Sequence, residues 1–411
     1  MIDKLTTNKM FNIIIGLYVF LGPIGRLIPV PPNIYSFRPY YFLMVIGILL
    51  FFIFYYKNIN IKYMLFPLPI ILYASVSLIF TYNSKYNVYE NPIFRLLLLI
   101  TCILFTILSA QYLKDKPIIK KLNYIKLYIY GYIISLFFGY IFLIGCHFGK
   151  FSANSISRFY VLIQYGYGML RFSPGSYPNE YGIVSSFVLS VLTIIIINKK
   201  NVEKIYSKIN IPVFVLIYVA TFVALFLSTT RAAYIAFIAS IIYIIFKYRS
   251  KKMFKVLIPI TIIFFIVISI IQVKFFNLIG LFNVQIQSVI NNNGSFNERM
   301  KAWQGAYSLF IKNPFLGVGF GREAMMHNTY LQILFENGIL GTLVIICSIV
   351  MFTINLKKIY SKVSNVSDNF TYKLYSTICN VGLLHVLWFA TSNHNLNHHL
   401  TWFVILLILI K

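Results

Sequence analysis

Four side chains, Arg171, Arg231, Arg299 and His327, stand in polar turns of a chain that is otherwise 59% hydrophobic. Arginine stays charged at any accessible pH, and its planar fork matches phosphate oxygens in pairs. Histidine accepts a proton near neutrality, as deprotonating a sugar hydroxyl requires. Arginines combined with one histidine point to transfer chemistry at a phosphate-bearing group. The densest stretch, Asn297 to Gly341, reads NERMKAWQGAYSLFIKNPFLGVGFGREAMMHNTYLQILFENGILG. It holds two of the nine arginines, one of the six histidines and three of the nine acidic residues.

Within that stretch the local signals are specific. Ser295-Phe296-Asn297-Glu298 reads as a capping box, and the helix it starts should run to about Ile311 and stop before Pro314. Phe296, Met300, Trp303, Tyr307 and Phe310 recur at helical spacing and define one apolar face, so the helix is expected to lie in a membrane interface. Arg299 falls about 60° from Phe296, at the edge of that face and at headgroup depth. A lipid diphosphate fits there; an ordinary phospholipid headgroup is the alternative. His327 follows the glycine-rich turn Gly317-Val318-Gly319-Phe320-Gly321. Gly338 comes about three helical turns later, so the two are expected on one face, the glycine leaving room beneath the imidazole. An interfacial polar residue without a reactive role is the plainer reading of His327. Glu336 lies on the opposite face, suited to an arginine; with Tyr330 it is also expected among the substrate contacts.

Arg231 ends Ser228-Thr229-Thr230-Arg231, a junction between two apolar runs with almost no loop. An arginine at the end of such a helix hairpin is costly unless paired, so gripping a diphosphate is set against snorkelling to the interface. Arg171 opens RFSPGSYPNEYG, where Pro174, Gly175, Pro178 and Asn179 fix an irregular backbone and Glu180 offers an ion-pair partner. Function and loop structure stay equally open for it. Arg322 and His394 are further expected substrate contacts. His394, His398 and His399 include a pair at metal-ligand spacing, but no cysteine or carboxylate lies nearby. Polar packing or a secondary substrate contact is expected of them instead, and no metal or other cofactor.

The elements that must position these residues are transmembrane. With 411 residues, mean hydropathy +0.79 and 11% charged residues, the chain reads as an all-α polytopic membrane protein and a single integral membrane domain. About twelve apolar runs are long enough to span: 11–28, 39–56, 64–81, 93–113, 127–147, 180–197, 211–228, 231–247, 254–273, 330–354, 374–392 and 396–410. The first lacks a cleavage site and is taken as a retained helix. Lysines cluster in the loops of one side, which makes that side and both termini cytoplasmic. Arginines show the reverse preference: Arg26, Arg38, Arg95, Arg158, Arg171, Arg231, Arg299 and Arg322 map to the outer side. Basic residues are disfavoured there, so an anionic partner is expected for them. Two outer loops are long, 148–179 and 274–329, the second carrying the amphipathic helix. The net charge of +27 is explained by topology and not by nucleic acid. Cys102, Cys146, Cys347 and Cys379 lie scattered in apolar runs without metal or redox spacing. Neither a G-x-x-x-x-G-K-[ST] loop nor a D-x-D pair is present, against an ATP-driven pump or a metal-dependent nucleotide-sugar transferase.

In order along the chain, Arg171 through Gly182, STTRAAY, ERMKAW with NPFLGVG, and HNTYLQILFENG resemble the shared core of the O-antigen polymerase and O-antigen ligase superfamily, over roughly 171–341. The resemblance implies a membrane glycosyltransferase of the bacterial inner membrane with a periplasmic site. Its substrate would be an undecaprenyl-diphosphate-linked oligosaccharide, with Arg231 and Arg299 on the diphosphate leaving group and His327 on the acceptor hydroxyl. It also implies contact with membrane lipids and with a chain-length regulator protein. The ligase branch often carries an acidic residue near the last outer turn, where this chain has Ser392-Asn393-His394. That favours the polymerase branch. A ligase remains the alternative within the superfamily and a lipid-linked oligosaccharide flippase the alternative outside it. A flippase, however, would want mid-membrane polar groups and repeat symmetry, which the sequence does not show.

Overall fold

Helix starts in this chain are set by asparagine and proline. Asn91 accepts hydrogen bonds from the backbone of Ile93 and Phe94 at 3.0 and 3.4 Å, with Pro92 in the first turn, and Asn210 caps Val213 at 3.3 Å ahead of Pro212. Such caps satisfy backbone groups that a helix end leaves free. A computed structural model of the chain describes residues 4–27, 38–55, 59–60, 63, 66–82, 91–152, 162–165, 169–206, 208–248, 295–321, 326–360, 369–393 and 396–411. In chain order the described helices are α1 (Lys4–Ile24), α2 (Pro39–Tyr55), α3 (Leu68–Tyr82), α4 (Pro92–Leu113), α5 (Ile118–His147), α6 (Pro178–Ile197) and α7 (Lys199–Ile205). They continue with α8 (Ile211–Leu227), α9 (Arg231–Tyr248), α10 (Ser295–Phe310), α11 (Thr329–Tyr360), α12 (Asn369–Ala390) and α13 (His399–Leu409).

The all-α polytopic expectation holds. Among the described residues five helices are long and apolar enough to cross a membrane, namely α4, most of α5, α6, α9 and the first 23 residues of α11, and five further apolar helices are shorter. Eleven of the expected spans coincide with helices; the span at 254–273 lies outside the described residues, as do Arg158, Arg322 and His394. The largest boundary error is at α5, which starts at Ile118 and carries Lys120, Lys121 and Lys126 on a helix, because charge ends a hydrophobic run without ending a helix. The loop 148–179 also holds an antiparallel hairpin, β1 (Leu162–Tyr165) with β2 (Met169–Phe172), that pairs Ile163 with Arg171 and that periodicity did not reveal.

Helix α6 is the hub of its half of the bundle. Fifteen of its 20 residues are buried, and it packs against α8, α9 and α12. Its hydroxyls turn back on the helix itself, Ser185 to Tyr181 and Thr193 to Leu189 at 2.9 Å each, so they cost little inside apolar surroundings. The packing also sorts the cations. At one end Lys121 donates to the carbonyls of Ile410 (2.5 Å) and Lys114 (2.9 Å), and Lys373 sits over the Tyr248 ring. Arg38, Arg95, Arg171, Arg231 and Arg299 gather at the other end, through contacts among residues 38, 95, 171–180, 228–231, 299–303, 320–336 and 393–399. The segregation of lysine from arginine read in the sequence is thus a property of the fold.

At the arginine end α11 is broken. Gly338 adopts φ 66° and ψ −173°, a region essentially open to glycine alone. Into the gap fits the turn 314–319. The backbones of Val318 and Gly319 donate to the carbonyls of Phe335 and Glu336 at 2.9 and 3.0 Å, and those of Ile339 and Leu340 donate to Pro314 and Phe315 at 2.9 and 3.1 Å. Both cut ends of the helix are satisfied by one segment. The expectation that Gly338 shares a helix face with His327 and leaves it room is therefore wrong: the missing Cβ admits the 314–319 turn, and a Cβ at Gly338 would run into the Phe315 carbonyl. We expect Gly338→Ala to destabilise the protein by at least the strain term of about 1–3 kcal/mol. A lowered thermal unfolding midpoint in detergent checks this.

Candidate functional site

Arg231 is the first residue of α9, and the turn before it is held from outside. Thr229 has φ 52°, one of two described non-glycine residues with positive φ. Arg171, projecting from β2, donates from Nε to the Ser228 carbonyl at 3.0 Å and from Nη2 to Asn179 Oδ1 at 3.2 Å; Nη2 also reaches the Thr229 carbonyl and Thr230 Oγ1 at 3.4 Å each. Thr230 Oγ1 donates in turn to the Pro178 carbonyl at 2.9 Å. Gly182 permits this approach, since a Cβ there would lie 2.7 Å from Ser228 Oγ. Arg171 thus satisfies carbonyls at the end of α8 and fixes the junction; its fork engages protein, where the sequence left function and loop structure open. The ion pair suggested for it with Glu180 does not form. Glu180 pairs instead with Arg38 at 3.1 Å and accepts from Ser176 Oγ at 2.7 Å.

Helix α10 presents Arg299. Its inward stripe is Arg299, Trp303, Ala306 and Phe310, spaced four, three and four residues, of which Ala306 is buried and the others half-buried, and it docks on α11 around Phe335 with Leu331 and Leu334. The face expected from aromatic spacing is displaced, because Tyr307 is 56% exposed while the small Ala306, at 1%, makes the contact. Phe296 lies outside the residues whose side chains are described. Arg299 sits on the docked side and not at its edge. Its Nε is buried with no hydrogen-bond partner, and burial, then the like charge of Arg231, hold its guanidinium below the ordinary arginine range. Arg231 itself is exposed. No described carboxylate pairs with either.

Trp303, one turn along from Arg299, donates from Nε1 to the Met326 carbonyl at 2.7 Å, which brings the start of α11 against α10. His327 follows Met326 with φ 48°, the second of the strained non-glycine residues. Asn328 Oδ1 then caps Leu331 at 3.1 Å, and Thr329 Oγ1 donates to the Asn393 carbonyl at 2.6 Å. The strained backbone at Thr229, beside Arg231, and at His327 is held by surrounding hydrogen bonds.

The other expected site residues fall elsewhere. Glu336 is 1% exposed, pairs with Arg95 at 3.4 Å and accepts from Gln332 at 2.9 Å. Its carboxylate is thus engaged within the protein, where the sequence placed it among the substrate contacts. Arg38 and Arg95 also depart from expectation: their anionic partners are internal glutamates. Nothing local in the sequence marks either pair, since the partners lie 142 and 241 residues apart. Tyr330 is 47% exposed, and its hydroxyl donates to the Leu387 carbonyl at 2.9 Å. His398 caps α13 by accepting from Leu400 at 3.3 Å. His399 Nε2 meets the Tyr128 hydroxyl at 3.0 Å.

Two outcomes follow for these ion pairs and for Arg171. Glu336→Ala leaves a buried arginine uncompensated and is expected to cost about 3–5 kcal/mol, whereas joint replacement of Arg95 and Glu336 by Met and Gln recovers most of it; thermal unfolding of the three proteins decides. Arg171→Ala should loosen the junction, so that a cysteine placed at Thr229 reacts faster with a maleimide than in the parent.

Residues 214–346, roughly a third of the chain, match the family model described as O-antigen ligase. No curated protein gives a match to the chain. The matched segment runs from α8 into α11 and contains the two arginines without carboxylate partners and the strained histidine. Over that segment the chain is similar to the O-antigen ligase family.

Proposed function

We propose that this protein is an O-antigen polymerase, transferring an undecaprenyl-diphosphate-linked glycan onto a second lipid-linked repeat unit at the periplasmic face of the inner membrane. The observation that carries the reading is the pairing of Arg231 with Arg299. Burial, then the nearby charge of Arg231, lowers the proton affinity of Arg299, which is half-buried with an unsatisfied Nε, and two such like charges repel unless an anion lies between them. A diphosphate supplies that anion in a form the forked geometry grips.

The chemistry then follows from charge. A hydroxyl oxygen of the acceptor sugar attacks the anomeric carbon of the donor, whose bond to the diphosphate oxygen breaks. The departing electron pair leaves with the diphosphate, and the negative charge growing there is met by Arg231 and Arg299 in a partly dry site. His327 takes the hydroxyl proton. Arg171 holds the junction that aims Arg231, and the Trp303 to Met326 contact holds His327 beside the face bearing Arg299. Ser392-Asn393-His394 in the last outer turn, without an acidic residue, favours polymerase.

The match description favours a second reading, a ligase that moves finished glycan to an outer acceptor such as lipid A–core. The two separate on a gel of lipopolysaccharide from a strain lacking the gene. Loss of a polymerase leaves one repeat on core, and loss of a ligase leaves core bare. Within either reading, replacing Arg231 or Arg299 by alanine removes a donor to developing charge and should slow sugar transfer by about 10²–10³-fold. His327→Ala should slow it by about 10²–10⁴-fold. Transfer is measured with purified protein and lipid-linked oligosaccharide; near-parental rates in all three variants would refute the assignment.

A further inference from the structure

A cavity of about 270 Å³ lies between α3, α4, α11 and α13, lined by Ala74, Ile103, Phe320, Ile333, Ser348 and Trp402 among others. Its walls are almost wholly apolar, and the polar groups at its upper end are already engaged. Glu336 is bound to Arg95 and Gln332, and the Tyr73 hydroxyl donates to the Asn337 carbonyl at 2.8 Å. An apolar hole of this size does not hold water stably, and its walls lose dispersion contacts if it stays empty. Ile349, on its rim, is 53% exposed on the lipid-facing side of α11, so the cavity is continuous with the surface that the bilayer covers. From Thr401 to Leu409 along α13 it extends about 12 Å at helical rise. Its upper end, at Glu336 and Phe320, lies beneath the start of α11 where His327 stands.

The position of the cavity relative to the arginines is informative. Helix α10, which carries Arg299, docks on the face of α11 formed by Leu331, Leu334 and Phe335. The cavity borders the face formed by Ile333, Glu336 and Asn337. At 100° per residue these two faces are about 160° apart. The outer half of α11 is therefore a wall between the arginine pair and the cavity, with His327 at its top.

We propose that this cavity holds the hydrocarbon chain of the acceptor, a polyisoprenoid, separately from the donor whose diphosphate meets Arg231 and Arg299. The proposal rests on the polymerase reading, in which both substrates carry such a chain. A volume of 270 Å³ lies just below the range of pockets that enclose a whole ligand, and it takes the first few isoprene units of one chain, the remainder passing into the bilayer, but not the several chains of a lipid A anchor. The acceptor sugar then rises beside His327 on one side of the wall while the donor is held on the other.

The test uses the full-length protein in liposomes and a polyprenyl phosphate bearing a diazirine on the isoprene units nearest the phosphate, with the crosslinked peptides mapped by mass spectrometry. Expected are adducts in α3 and α4, a loss of at least about tenfold in Ala74→Phe and in Ser348→Phe, and labelling within about twofold of the parent in the Arg231→Ala, Arg299→Ala double variant. Labelling that falls with the arginines would assign the cavity to the donor's own tail and overturn the proposal. Equal labelling by a diazirine-bearing phosphatidylglycerol would overturn it as ordinary bilayer lipid. Should both phenylalanine variants fail to fold, competition of the parental labelling by unlabelled polyprenyl phosphate, but not by phosphatidylglycerol, supports it, and absence of such competition overturns it. Absence of sugar transfer in the parental protein, with cavity labelling intact, counts against the polymerase reading alone.

Discussion

Four backbone hydrogen bonds between the turn 314–319 and the broken helix α11 are the constraint from which the site takes its shape. Without them the carbonyls of Phe335 and Glu336 and the amides of Ile339 and Leu340 would be unpaired at the membrane boundary, where each missing bond is expensive. With them, the outer half of α11 can stand at its own angle above the bundle. That half positions Glu336 against Arg95, offers Phe335 to α10, and carries His327 at its tip. Gly317 and Gly338 make the seam possible because a side chain on either would strike the opposing backbone.

Charge is arranged around that seam with unusual economy. The chain has nine acidic residues against 36 basic ones. Two of the glutamates neutralise Arg38 and Arg95 inside the arginine end, where both ion pairs are largely buried. Arg171 is satisfied by carbonyls and an asparagine. Against that background the arginines at 231 and 299 differ in kind, because the described protein offers them no anion. A membrane protein tolerates such a pair when something else supplies the negative charge. The same logic separates the arginines satisfied within the protein from the two that the described residues leave without a carboxylate, a distinction that composition alone does not draw.

Much of this was legible in the sequence. Hydrophobic runs located the helices because lipid leaves a spanning segment few alternatives, and the lysine and arginine bias sorted the two ends. The polar start at Ser295 and the stop before Pro314 bounded α10 within a residue or two, local signals that do not depend on the rest of the fold. What failed were inferences needing a distant partner. Helical arithmetic carried straight through Gly338, because nothing nearby says that a turn some twenty residues upstream enters the helix there. Aromatic spacing chose Tyr307 for the contact face of α10 because it weighs size, whereas close docking selected Ala306. Glu180 was assigned to the nearest arginine in sequence, and the fold gave it to one 142 residues away.

The seam has a further bearing on biogenesis. Its partners are near neighbours in the chain: Val318 meets Phe335, and Pro314 meets Ile339. Pairings of such short sequence separation carry a small loop-closure entropy. The kinked element can therefore be assembled soon after it leaves the ribosome, while α12 and α13 have yet to be inserted. The opposing walls supplied by those last helices would then close around a half-site already shaped.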